Sequence, residues 1–133
     1  MLSKKKILVI DDEAPIRRVI ELKLKNKGYD VITARDGEEG LKLIKEEKPE
    51  VVITDINMPK LNGKDLCHLT DSLKKSQPFL TIVITARISF DDADWANKMT
   101  KTVFMEKPFS PSRIVDCIDQ YFEETDNYGI KDI

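Results

Sequence analysis

The sequence predicts an α/β domain built on a parallel sheet covered on both faces. Three observations lead there. Short runs rich in β-branched residues recur at 5–10, 30–34, 51–55, 80–85 and 102–106. Between them lie segments whose apolar residues repeat every three or four positions, the period of a helix. The two patterns alternate along the chain, five strands with five helices, and such alternation means βα units. At 133 residues the chain makes one domain, and with 41% hydrophobic residues it is globular.

Taken in order, the first strand runs from Lys5 to Ile10. A helix follows over 14–27, with Pro15 in its first turn, where the missing N–H costs nothing. Its apolar stripe is Ile16, Val19, Ile20 and Leu24, and Gly28 stops it. The second strand is Asp30–Ala34. Asp36 then caps a helix, with Glu39 as its reciprocal partner and Leu41 and Ile44 on the apolar face. The third strand, Val51–Asp55, begins with four β-branched residues in a row and reads as buried on both faces. Met58-Pro59 ends regular structure, and Asn62-Gly63 marks a turn. The next helix reaches Lys75 on Leu66, Leu69 and Leu73. After the strand Leu80–Thr85, Ser89 and Asp92 cap a short fourth helix holding Trp95 and Met99. The strand Thr102–Glu106 follows. Ser110-Pro111 then opens a last helix carrying Ile114, Val115, Ile118, Tyr121 and Phe122, and residues 123–133 read as a polar, frayed tail.

Right-handed crossovers put every strand's carboxyl end on one edge of the sheet, where ligands bind in folds of this class. Asp11, Asp12, Asp55, Thr85 and Lys107 all fall on that edge. A single aspartate at a strand end is usually a cap or a turn residue. Three together are another matter, because two carboxylates about 4 Å apart repel by about 4 kcal/mol at an effective dielectric near 20. The cluster calls for a bound cation or a retained proton, and Mg²⁺ suits carboxylates, waters and a phosphate. The chain has one histidine, His68, and no Ser-His-Asp or Cys-His arrangement for acyl transfer. It also lacks the glycine-rich phosphate loops of nucleotide binders. What remains is a carboxylate that accepts a phosphoryl group, with a lysine and a hydroxyl to hold its oxygens.

Composition narrows the partners. The net charge is −2 with the signs mixed, which argues against direct nucleic-acid binding, and no apolar run approaches a membrane span. Leu2 is followed at once by lysines rather than a signal-peptide core. Cys67 and Cys117 form no metal or redox motif and read as small core or boundary residues in a reducing compartment, so a cytoplasmic location is expected.

The motifs Ile7-Leu8-Val9-Ile10-Asp11-Asp12-Glu13, Asp55-Ile56-Asn57-Met58-Pro59 with Gly63, Ile84-Thr85-Ala86 and Lys107-Pro108-Phe109 stand in order along the chain. Each alone is weak. Together they closely resemble the receiver domain of two-component response regulators, over residues 4–123. The resemblance implies a flavodoxin-like sheet of order 2-1-3-4-5. It implies phosphorylation of Asp55 by a histidine kinase or a histidine phosphotransfer protein. It also implies Mg²⁺ on Asp12, Asp55 and the Asn57 backbone carbonyl, with Asp11 acting through water. Thr85, Ala86 and Lys107 would bind the phosphoryl group, and the Lys107-Pro108 bond would be cis. Thr85 and Phe104 would form the switch, read by a downstream protein on the face of the fourth helix, fifth strand and fifth helix. Asn57 and Arg87 occupy the positions that tune the lifetime of the phosphorylated state.

The sequence departs from the family's habits in two places. Thr100-Lys101 stands before the fifth strand where Gly-Ala is common, and the switch aromatic is Phe104 rather than tyrosine. On this reading 1–123 is the receiver and 124–133 a tail. The domain is a signalling module rather than an enzyme, although it would catalyse its own phosphorylation and dephosphorylation. Two alternatives fit the residues less well. An aspartyl-phosphate phosphatase of the haloacid-dehalogenase type needs a second aspartate where Asn57 stands. A degenerate receiver serving as a phosphorylation-independent interaction module would have lost one of the acidic or lysine positions. A homodimer is left open, as is whether the chain stands alone or belongs to a longer regulator.

Overall fold

The computed structural model describes residues 4–86, 91, 94–95, 98–107 and 110–131, with side chains as far as residue 125. Strands β1 (Lys6–Ile10), β2 (Asp30–Ala34), β3 (Val51–Asp55), β4 (Leu80–Thr85) and β5 (Thr102–Glu106) form one parallel sheet in the expected order β2-β1-β3-β4-β5. The helices are α1 (Ala14–Asn26), α2 (Gly37–Glu47), α3 (Gly63–Thr70) and α4 (Pro111–Lys131). Four α-helices are therefore described where five were expected. Between β4 and β5, Asp91, Asp94 and Trp95 are helical, Met99 already lies in the turn, and the expected cap pair Ser89 and Asp92 lies outside the described residues.

Successive strand residues face opposite sides, which divides the core in two. Ile7 and Val9 of β1 pack with Ile20, Leu24, Ile114 and Ile118 of α1 and α4. Leu8 and Ile10 pack with Ile44 and Leu66 of α2 and α3. All five β3 residues are buried, as expected of a strand covered on both faces. The register sets the height of each strand end. Ile10 pairs with Thr54 and Asp55 with Ile84, so Asp11 comes level with Asp55 on neighbouring strands.

Local signals mostly act as read. Asp36 accepts the Glu39 N–H at 2.9 Å, capping α2. Gly28 follows α1 with φ +95°, the left-handed stop that glycine adopts without strain. Burial pushes the Cys67 thiol up to about 12, so it remains a neutral core group. Among the described residues, no helix is long and apolar enough to cross a membrane.

Four expectations need correction. Val19 and Leu69, placed on apolar stripes, are 52% and 55% exposed, because the helix faces that the sheet covers are narrower than the stripes. Helix α3 stops at Thr70 and continues as a 3-10 turn, Asp71–Lys75. The two helix types differ by only one residue in hydrogen-bond span, so the spacing of Leu66 and Leu73 does not separate them. Helix α4 runs on to Lys131, past the frayed tail expected from residue 123.

The turn into β5 shows why glycine is dispensable there. Lys101 takes φ +46°, a left-handed conformation that costs a non-glycine residue about 1 kcal/mol. Lys74, from the 3-10 turn, holds it in place. Its Nζ donates to the Thr100 carbonyl and, at 3.3 Å each, to the Lys101 carbonyl and Thr102 Oγ1. The ammonium lies 4.9 Å from the Phe79 ring centre, and Asp71 Oδ1 accepts the Thr100 N–H at 3.0 Å.

Burial pushes Lys74 down from 10.5 to about 8. Below pH 8 the folded and unfolded chains both carry the charge, and the cost stands in full. Between 8 and 10.5 the unfolded chain still binds a proton that the folded chain has shed, so stability rises with pH. Tyr29, raised by burial and by its hydrogen bond to Asp119, acts in the opposite direction as pH passes its ordinary value. The comparison with Lys74→Met isolates the lysine. From pH 7.5 to 9.5, wild-type unfolding free energy should gain about 1–2 kcal/mol relative to the variant. Parallel pH profiles in urea denaturation would exclude this burial cost.

Candidate functional site

The carboxyl ends of β1 and β3 bring three aspartates together. One carboxylate oxygen from each of Asp11, Asp12 and Asp55 lies within 4.8 Å of the others. Asp11 and Asp55 are buried, and Asp12 is exposed. Asp11 is tied at three points. Its N–H donates to Ala34 O at 3.2 Å, its Oδ1 accepts the Glu13 N–H at 2.9 Å, and its carbonyl accepts Arg17 Nη1 at 2.7 Å. Burial pushes the Asp11 carboxyl above its ordinary value, and the charges of Asp55 and Asp12 add to this. The Glu13 N–H and the Lys107 charge offset part of the rise.

Asp55 is held by the loop that follows it. Asn57 N–H donates to its Oδ1 at 3.2 Å. Thr54 Oγ1 donates to the Asp55 carbonyl at 3.0 Å and approaches Met58 Sδ at 3.6 Å, which pins the start of the Met58-Pro59 turn. Gly63 closes that loop. Its N–H bonds Ile56 O at 2.8 Å, and a Cβ at this position would come within 2.2 Å of the Asp55 carbonyl oxygen. Only glycine permits that approach. Asn62 caps α3 immediately before it by accepting the Asp65 N–H at 2.8 Å.

Lys107 completes the cluster. Its backbone N–H bonds Thr85 O at 2.7 Å, one step past the β4–β5 ladder, and its Nζ reaches Asp55 Oδ2 at 2.8 Å. Burial lowers the lysine's proton affinity. The Asp55 hydrogen bond and the charges of Asp55, Asp11 and Glu13 outweigh that and hold it above its ordinary value. Thr85 is buried beside this edge and Ala86 is exposed on it. Phe104 pairs in register with Val83 and is half-buried against Trp95, their ring centres 5.0 Å apart edge to face. His68 is exposed on α3, its ring centre 6.0 Å from that of Trp95.

The sequence-predicted residues Asp11, Asp12, Asp55, Thr85, Ala86 and Lys107 thus share one edge, with Asn57 exposed in the adjoining loop. Arg87, Phe109 and Pro108, where a cis bond was expected, lie outside the described residues. Sequence reasoning missed Arg17 and Thr54, both of which act on backbone carbonyls and leave no periodic mark. The donor set is entirely hard oxygen, the kind that suits a small divalent cation.

A family model for the response regulator receiver domain matches residues 7–119. The chain belongs to the response regulator receiver domain family. Among relatives of this receiver, the probable transcriptional regulator ycf27 of Porphyridium aerugineum is 42% identical over 113 residues, which are 85% of this chain and 46% of that protein. The alkaline phosphatase synthesis transcriptional regulatory protein PhoP of Bacillus subtilis (strain 168) is 40% identical over 110 residues, 83% of this chain and 45% of that protein. The receiver therefore spans about half the length of the curated relatives it matches. A solved CheY-like receiver domain protein from Methanospirillum hungatei JF-1 superposes with a TM-score of 0.85 at 25% identity, covering 95% of this chain and 99% of that one. A receiver domain protein from Clostridium thermocellum gives a TM-score of 0.79 at 32% identity, covering 93% and 98%. Membership in this family sets aside the haloacid-dehalogenase alternative.

Proposed function

We propose that this receiver takes a phosphoryl group from a phosphohistidine donor onto Asp55 and passes the change to a downstream protein. The observation that carries the reading is the 2.8 Å pairing of Asp55 with Lys107 inside a cluster of two further carboxylates. An Asp55 oxygen attacks phosphorus and forms an acyl phosphate, while the phosphorus–nitrogen bond breaks and the imidazole nitrogen leaves with its electron pair. Lys107 then follows the negative charge from the carboxylate to a phosphoryl oxygen. Mg²⁺ held by Asp12, Asp55 and the Asn57 carbonyl, with Asp11 acting through water, would offset the phosphoryl charge. Such a site also takes phosphoryl groups from small donors and loses them to water, with Asn57, exposed in its loop, and Arg87 governing water access.

The donor is a histidine kinase or a histidine phosphotransfer protein. The exposed Val19 lines two grooves, one of about 250 Å³ with Pro15, Ile16 and Pro111 and one of about 340 Å³ with Leu22 and Pro111. That apolar surface adjoins the phosphoacceptor edge, since Pro15 stands three residues after Asp12. On the output side, Thr85 gains a partner that exists only in the phosphorylated state. Its movement opens space for Phe104, and Trp95 in edge contact with Phe104 carries the change to the face that includes the segment before β5, β5 itself and α4. A cytoplasmic setting and the absence of direct nucleic-acid contact by this chain belong to the same reading, supported by its −2 charge.

Beryllofluoride with Mg²⁺ mimics the phosphoryl group and tests both halves. Trp95 fluorescence should change, and Thr85→Ala should shrink the change while Asp55 still gains one phosphoryl mass from acetyl phosphate. Neither response in the wild type would leave a receiver that works only as an interaction module.

A further inference from the structure

Arg17 is poorly explained by helix stability. It lies in the first turn of α1, where the helix dipole disfavours a cation, and its hydrogen bond does not go to the acidic N-cap Glu13, four residues before it. It also stands beside a cluster whose chemistry is to hold another cation. Yet its Nη1 donates at 2.7 Å to the carbonyl of Asp11. That oxygen belongs to the peptide joining Asp11 to Asp12.

The peptide is planar, so holding its oxygen fixes the plane and the direction in which Asp12 leaves it. The Asp11 side of the peptide is already fixed by the Ala34 carbonyl and the Glu13 N–H. The Asp12 side has no strand neighbour, because β1 ends at Ile10. We propose that Arg17 is a positioning residue for the acidic pair, orienting the Asp11–Asp12 peptide and thereby setting the affinity of the site for a divalent cation. This deepens the Mg²⁺ reading and rests on it.

A guanidinium near three carboxylates also has a simpler reading, as a counter-charge. The two readings predict opposite signs. Removing a counter-charge tightens divalent binding, whereas releasing the peptide loosens it.

Mg²⁺ is titrated calorimetrically into the full chain of the wild type, Arg17→Met and Arg17→Lys, with thermal melts in EDTA to check folding. Arg17→Met should weaken Mg²⁺ binding roughly tenfold, the usual cost of losing a residue that orients a metal ligand. Arg17→Lys keeps the charge but loses the planar fork, and should fall between, down about threefold. It should also shift the Asp12 amide resonance in metal-free protein. A folded Arg17→Met that binds Mg²⁺ as tightly as wild type, or tighter, overturns the proposal. If Arg17→Met does not fold, wild-type affinity together with an unmoved Asp12 amide in Arg17→Lys overturns it instead. A wild type that binds no Mg²⁺ at all removes the metal reading itself, and this inference with it.

Discussion

Asp55→Asn should take up no phosphoryl group from acetyl phosphate and Mg²⁺, while the wild-type mass rises by a single phosphoryl. Three carboxylates share the site, and their surroundings separate them. A nucleophile must be ionised and must meet a group that receives the developing charge. Asp11 is 3% exposed and its carboxyl is pushed toward the protonated form by burial. Asp12 is exposed, but the lysine of the site is directed elsewhere: Lys107 Nζ bonds Asp55 Oδ2. Only Asp55 combines the paired lysine with a backbone N–H, from Asn57, on its other oxygen. Asparagine keeps the shape and the acceptor for Asn57 N–H, so the variant should fold and lose only the chemistry. Intact-mass measurement decides, and wild-type labelling of Asp55→Asn would move the acceptor to Asp11 or Asp12.

Two substitutions at this edge should shift metal-free stability in opposite directions. In EDTA, Asp11→Asn should raise it by about 1 kcal/mol, worth about 4 °C in melting temperature for a domain of this size. The sign follows from the raised Asp11 carboxyl. The folded chain holds that proton more tightly than the unfolded one, so its stabilising contribution is present at low pH and is lost as pH rises through the folded value. At neutral pH the charge is therefore a cost, and asparagine removes it. Lys107→Met should do the reverse. Its pair with Asp55 leaves the side chains 25% and 9% exposed, so the loss is discounted for solvent to about 2 kcal/mol. Mg²⁺ should restore part of the Lys107→Met deficit by supplying positive charge, and should stabilise Asp11→Asn less than wild type. Asp11→Asn melting below wild type in EDTA would mean that the carboxylates do not repel as their spacing implies.

Much of this was legible in the residues because strand ends are abrupt. Val51–Thr54 is continuously β-branched and Asp55 follows at once, so both the strand and the acidic group at its mouth can be read off, as they can for Ile10 and Asp11. Asp36 with Glu39 announces its helix start through a fixed spacing. Lys74 was not legible. A lysine in an amphipathic segment looks solvated, and only the tertiary fold brings it to the Thr100 and Lys101 carbonyls. Val19 failed for a related reason: periodicity gives the direction of a face, but not how much of it a neighbour covers. The extent of α4 escaped because its apolar repeat ends at Phe122 while the helix continues.

The sheet ends at β2 on one side and β5 on the other, and neither has a further strand neighbour among the described residues. Such rims expose backbone donors and acceptors that another chain can extend, which is how aggregates begin. Both rims are only five residues long. Charge brackets each, with Asp30 and Arg35 around β2 and Lys101, Glu106 and Lys107 around β5. An incoming strand would have to lie across these charges for a handful of hydrogen bonds. Copies of this chain should therefore stay apart as ribbons even when crowded, and meet other proteins through side chains on helical faces rather than by lengthening the sheet.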